Sequence, residues 1–155
     1  MNSASENSLK FSRIQERDLA PISALYAAYY NAQGDRWSPA TAYKRLHQMW
    51  AMVDAVCVKA THYGTICALA MGYLEQYDKD SVYHLLDILV LKEFQHQGIG
   101  TKLINEALHI AASRGAKSAY LEALNDEGHT RFYQVAGFFK RNDMASWKKN
   151  LESCK

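Results

Sequence analysis

Residues 82–91 read VYHLLDILVL, an almost unbroken apolar run in which His84 and Asp87 are the polar interruptions. Bounded by polar "YDKDS" before it and "KEFQHQ" after it, this run predicts a central strand buried on both faces. Two glycines, Gly98 and Gly100, follow the polar turn. Then "TKLINEALHIAASRG" places Leu103, Ile104, Ala107, Leu108 and Ala111 on one side of a helix. A strand, a glycine turn and an amphipathic helix in that order restrict the chain to folds with a helix packed on a sheet.

The flanking segments fill out that sheet. "LKFSRIQ" alternates apolar and polar residues and predicts a first strand. Asp18 is placed to cap the next helix, with Pro21 in its first turn and Ile22, Leu25, Tyr26 and Tyr29 on one face. Ser38 and Pro39 start a second helix through "PATAYKRLHQMWAM". "DAVCVKA" and "GTICALAMGYLEQY" predict two strands about a turn at "THYG". The central helix should end at Gly115. "KSAYLEAL" then predicts a strand, "GHTRFYQVAG" a short helix ending at Gly137, and "FFKRND" with "ASWKKNL" two closing strands. Helices interleave with a strand meander, which favours a mixed α/β sheet over a fully parallel one.

A chain of 155 residues fits one domain with a sizeable core. That domain is placed over residues 9–150, between a flexible N-terminus (1–8) and a short tail (151–155). The net charge of +2, from 18 basic and 16 acidic residues, argues for neither nucleic acid nor membrane as a partner. No apolar run reaches the roughly 20 residues that span a bilayer, and "MNSASENSLK" has no apolar leader core. A cytoplasmic location is the expectation. Cys57, Cys67 and Cys154 are odd in number and widely spaced, so buried free thiols are expected at Cys57 and Cys67 rather than a disulfide framework. The six histidines form no HExxH or CxxC-type cluster, and no metal is expected.

The glycine turn is suited to an anion. Glycines let a ligand approach the backbone, and the first helix amides have no internal acceptors. "GIGTK" does not match a P-loop. A dinucleotide fingerprint would need a third glycine where Leu103 stands, although Glu122 nearly meets the spacing of its acidic residue. A nicotinamide-dependent oxidoreductase is therefore disfavoured. Taken alone, the two glycines are equally compatible with a packing turn that binds nothing.

The surrounding residues decide between these. Gln95-His96-Gln97-Gly98-Ile99-Gly100 resembles motif A of the GNAT superfamily (Gcn5-related N-acetyltransferases), in which a strand, Arg/Gln-x-x-Gly-x-Gly/Ala and a helix follow one another. "NDEGHTRFYQVAGFF" resembles the family's motif B, with Tyr133, Gly137 and Phe138 in its Tyr-x-x-x-Gly-Phe ending. The two motifs are separated by one helix and one strand, as in the family, and the resemblance extends over residues 9–149. Gln95 stands where arginine is commoner, Lys92 where proline is common, and Asp126 at the usual asparagine position, one residue after Asn125.

The resemblance implies an α/β fold with a mixed, mostly antiparallel sheet of six to seven strands and about four helices, split between two central parallel strands. It implies an acetyl-CoA-dependent N-acetyltransferase that acetylates a primary amine of a small molecule or peptide. The backbone of Ile88, Leu89 and Val90 would pair with pantetheine, with the amide of Val90 or Leu89 as oxyanion donor. The turn of Gln95, His96, Gln97, Gly98, Ile99, Gly100 and Thr101 would hold the diphosphate, with Asn125 also on the cofactor. Tyr133 would be the general acid, and Asp87 the base or a substrate anchor. Glu122 would anchor the amine; His84 and His129 are weaker candidates for proton transfer. Tyr29 and Trp37 belong to an aromatic, acidic rim with Tyr30, Asp35, Glu75, Tyr77, Asp78 and Asp80, suited to a cationic acceptor. A non-catalytic acyl-CoA sensor is the alternative. A homodimer using the C-terminal "MASWKKNLESCK" is a further expectation.

Overall fold

The computed structural model describes residues 8–152. The segment before Ser8 expected to be flexible, and Cys154, lie outside the described residues. The chain divides into two units, Met1–Leu124 and Asn125–Lys155. The first carries β1 (Leu9–Arg13), α1 (Leu19–Asn31), α2 (Pro39–Trp50), β2 (Ala55–His62), β3 (Thr65–Gln76), β4 (Ser81–Val90), α3 (Ile99–Ser113) and β5 (Ala116–Leu121). The second carries α4 (Glu127–Val135). The strands lie in the order β1-β2-β3-β4-β5. Neighbours are antiparallel except β4 and β5, which run parallel with α3 as the crossover.

Five strands form among the described residues, not six to seven. The two expected closing strands make no ladder: Phe139 is 84% and Trp147 92% exposed. A strand's register is fixed by burying one of its faces, and this segment buries neither. The junction of the two segments, "RNDMA", also lacks the glycine turn that drives a hairpin.

One face of the sheet is covered by α1 and α2, whose Leu19, Ile22, Tyr26, Leu46 and Met49 pack with Cys57, Leu69, Met71 and Leu89 of the strands. On the other face α3 buries Leu103, Ile104, Ala107 and Ala111. Cys57 and Cys67 are buried free thiols, and burial pushes the Cys57 thiol up to about 11. Among the described residues no helix is long and apolar enough to cross a membrane.

The helix starts are partly as expected. Ser38 caps α2, its hydroxyl accepting from the Thr41 amide at 3.0 Å. Asp18 does not cap α1. Its carboxylate instead accepts the Gln15 amide at 2.7 Å and pairs with Lys59 Nζ at 2.6 Å. Burial pushes its pKa up, but Lys59 and the Gln15 amide outweigh this and hold it below the usual carboxylate value. A depressed folded pKa gives stabilisation that is complete above the unfolded value of about 3.9 and is lost as pH falls through the folded value. Denaturant unfolding below about pH 4 should show this loss, and Asp18→Asn should flatten it. An unchanged acid slope in the variant would assign the loss to other carboxylates.

The pairing of β3 with β4 contains one irregularity. Met71 lies opposite Asp87 and Gly72 opposite Leu85, so Leu86 is the extra residue of a bulge. His84 and Asp87 are three residues apart and would point to opposite faces of an even strand. The bulge restores them to the same face, beside Tyr73 and Met71 of β3. Gly72 is required there. A Cβ at this position would lie 2.2 Å from the His84 carbonyl oxygen and 2.7 Å from the Tyr83 ring. Gly72→Ala is expected to destabilise the fold by about 1–3 kcal/mol or more, readable as a lower melting temperature. Wild-type stability in that variant would mean that the bulge yields without cost.

Candidate active site

β4 and β5 pair from Ser81 and Ala116 to Leu85 and Leu121, and no further. From Leu86 to Val90, β4 therefore has an edge without a strand partner on that side among the described residues. Alternation within the antiparallel ladder decides which backbone groups face it. The Leu91 amide donates to the Cys67 carbonyl at 2.9 Å, so Leu89, two residues earlier and opposite Leu69, also turns its backbone toward β3. Ile88 and Val90 turn theirs to the open edge. Of the two amides expected as oxyanion donor, Val90 is the one so directed, and Leu89 is engaged within the sheet.

Gln95 fixes this edge. Its side-chain nitrogen donates to the Val90 carbonyl at 2.9 Å and to the Tyr29 hydroxyl at 3.0 Å. Tyr29 is thereby tied to the end of β4. The chain then makes a 3-10 turn over Lys92–Phe94 and enters α3 through two left-handed residues, His96 (φ 58°) and Gly98 (φ 78°). Gly98 is the N-cap and offers no side-chain acceptor. The first backbone bond of α3 runs from Lys102 to the Gly98 carbonyl, at 3.1 Å. The amides of Ile99, Gly100 and Thr101 thus precede any internal acceptor and carry the positive end of the helix dipole. Ile99 is buried and anchors the turn; Gln97 bonds the Glu93 carbonyl at 3.1 Å.

Asp87 lies on the α1 and α2 face, with its side chain 8% exposed. It accepts from the Tyr26 hydroxyl at 2.8 Å, the Tyr30 hydroxyl at 3.2 Å and Arg45 Nη2 at 3.3 Å. Arg45 Nε also donates to the Tyr26 hydroxyl at 3.1 Å. Burial, reinforced by the Asp87 charge, pushes both tyrosine hydroxyls well above their ordinary range. They are therefore held as donors. Trp37 packs edge-on against Tyr26 with ring centroids 5.3 Å apart. Asn31 clamps its backbone at 2.7 and 2.9 Å, and its indole nitrogen donates to Asp35 at 3.0 Å. The partners of Asp87 were not evident as such in the sequence. The i, i+4 spacing of Tyr26 and Tyr30 was the available signal, since it puts both on one helix face.

His84 shares the Asp87 face. Its ring stacks on Tyr73 of β3, centroids 5.2 Å apart, and meets Tyr120 of β5 at 6.0 Å. Its Nε2 is buried 2.6 Å from Glu75 Oε2, in a contact too bent to be an aligned hydrogen bond. Glu75 also accepts from the Tyr77 hydroxyl at 3.0 Å. Glu122 is exposed just beyond the end of β5.

Within the second unit, Asp126 is the N-cap of α4, accepting from the His129 amide at 2.9 Å and contacting its Nδ1 at 2.6 Å. Asn125 accepts from Lys140 Nζ at 2.6 Å. Tyr133 stands edge-on to Phe132 and Phe138, at 5.0 and 5.9 Å between centroids.

Comparisons with known proteins agree with this architecture. A stretch of 54 residues is 41% identical to the uncharacterized N-acetyltransferase CgeE of Bacillus subtilis (strain 168), covering 35% of this chain and 21% of that protein. The fold matches an aminoglycoside acetyltransferase, meta-AAC0020, from an uncultured soil metagenomic sample in complex with sisomicin. That match has a TM-score of 0.76 at 20% identity and covers 95% of this chain and 99% of the other. It also matches the aminoglycoside N-acetyltransferase AAC(6')-Iy in complex with CoA, with a TM-score of 0.75 at 14% identity over 91% and 94% of the two chains. Residues 21–138 match the acetyltransferase (GNAT) family. With more than half of its length matched and the split sheet in place, the chain belongs to the acetyltransferase (GNAT) family.

Proposed function

We propose that the protein transfers an acetyl group from acetyl-CoA directly to a primary amine of a small, cationic molecule. The observation that carries this reading is the continuity of the open β4 edge with the uncapped start of α3. An extended pantetheine arm can add to the edge as a strand does, on the Ile88 and Val90 backbone. A diphosphate fits the amides of Ile99, Gly100 and Thr101 at the other end. Asn125 remains a proposed cofactor contact.

Acetyl-CoA supplies the acetyl group as an activated thioester. The Val90 amide, fixed because Gln95 holds its own carbonyl, is suited to stabilise negative charge developing on the attacked oxygen. Tyr133 donates a proton to the departing sulfur in this reading. Three donors already occupy the oxygens of the nearly buried Asp87. Its proposed part is to fix α1, α2 and the bulge, and with them the acceptor wall of Tyr29 and Trp37. Asp35, beside Trp37, and Glu122 supply negative charge for a cation. The aminoglycoside acetyltransferases of similar fold support a small amine as acceptor.

Calorimetry with acetyl-CoA, followed by CoA thiol release with sisomicin, spermidine, glucosamine and short peptides, tests the proposal. Binding and release with an amine are expected. Binding with no release across an extended amine panel would favour a cofactor sensor, and no binding would overturn the reading.

A further inference from the structure

An amine acceptor arrives as an ammonium at neutral pH and must lose a proton before it can attack. Asp87, the carboxylate within the open-edge segment of β4, is committed to Tyr26, Tyr30 and Arg45. We propose that His84, backed by Glu75, is the group that accepts this proton. The proposal rests on the acetyltransferase reading above.

Position is the first argument. His84 pairs with Tyr120 one rung before Leu85 and Leu121, the last pair before β4 and β5 part. Its ring therefore stands at the apex of the split, where the edge with the Val90 amide begins. The bulge at Leu86 turns it to the face that carries Asp87 and the α1 and α2 wall. Two rungs of β3, about 7 Å, separate His84 from Asp87 along that face.

The two ring nitrogens are the second argument. Nε2 is buried against Glu75, so a proton on it meets a carboxylate. Among the described residues no group bonds Nδ1, and the side chain is 24% exposed. One nitrogen thus lies against an acid while the other makes no bond among the described residues, an arrangement that favours the Nε2–H tautomer and leaves Nδ1 free to accept. The charged and titratable groups around the ring are Glu75 and Tyr73 on β3, Tyr120 on β5 and, behind Glu75, the Tyr77 hydroxyl. Tyr73 and Tyr120 flank the ring from the two neighbouring strands.

The step balances without any further reagent. The ammonium N–H bond breaks and its electron pair remains on nitrogen as the attacking lone pair. The proton forms a bond to Nδ1, and Glu75 offsets the imidazolium charge through Nε2–H. The proton then passes to solvent from the exposed ring edge.

Two readouts test this. NMR of ring-labelled protein without cofactor should show the neutral His84 ring carrying its proton on Nε2, with that preference weakened in Glu75→Leu. A neutral ring protonated on Nδ1, or a tautomer indifferent to Glu75→Leu, would overturn the proposal whatever the acceptor. In the amine assay, His84→Phe keeps an aromatic ring between Tyr73 and Tyr120 but removes both nitrogens. Its kcat/KM should fall ~10²-fold at pH 7 and recover as pH rises toward the amine's own pKa. A loss equal at every pH would make His84 a packing residue. Acetyl-CoA calorimetry on each variant keeps the two readings apart: binding with no pH-dependent loss rejects the His84 assignment alone, whereas no binding by the unmodified protein rejects the transferase itself.

Discussion

Gly100→Glu is expected to weaken acetyl-CoA binding by about 10³-fold while leaving the protein folded. Gly100 is the second residue of α3, within the first turn whose amides precede any internal acceptor. A carboxylate there competes for those amides and repels a diphosphate. At about 4 Å and an effective dielectric near 20, that repulsion is about 4 kcal/mol per charge pair, or roughly three decades of affinity. The fold should tolerate the change, because a negative charge in the first turn of a helix is favourable. Circular dichroism and melting temperature would therefore match the wild type while calorimetry shows the loss. A folded variant with undiminished affinity would remove the diphosphate from this turn. Gly100→Ala adds bulk without charge, and a much smaller loss there would assign the effect to electrostatics.

Tyr133→Phe is expected to lower turnover by ~10²-fold with acetyl-CoA affinity nearly intact, if the hydroxyl protonates the leaving sulfur. The variant keeps the ring that meets Phe132 and Phe138 edge-on. Losses from packing should therefore be small, and a fall in kcat without a change in affinity would isolate the hydroxyl. Wild-type turnover would leave Tyr133 a packing residue of α4. A fall in both affinity and stability would point the same way. Gly100→Glu and Tyr133→Phe probe different units of the chain, Met1–Leu124 and Asn125–Lys155.

Much of the first unit was legible in the sequence because its signals are local. "PATAYKRLHQMW" announces α2 by the Ser38 cap and the proline at its start, and both are in place. Gly115, and Gly137 in the second unit, follow helix ends with φ of 102° and 89°, as terminal glycines do. The pattern failed where its signal was weakest. "FFKRND" and "ASWKKNL" are short, charged and without a glycine turn, and no strand forms there. Asp18 has the sequence position of a cap, but the nearby Lys59 on β2 draws its carboxylate elsewhere.

The sequence by itself determined the strand, the glycine turn and the helix that follow one another from Ser81 to Ser113, since each depends on residues within a few positions. It also determined the family, through motifs in a fixed order along the chain. Only the tertiary structure decided which groups face the cleft. The bulge at Leu86 exists because Gly72, on another strand, has no side chain to collide with the His84 carbonyl. That single extra residue brings His84 and Asp87 to one face. It also leaves Asp87 to Tyr26, Tyr30 and Arg45, which lie 61, 57 and 42 positions away in the chain. Side-chain alternation is a local rule, but its phase across a sheet is set by pairing, and pairing is a property of the folded molecule.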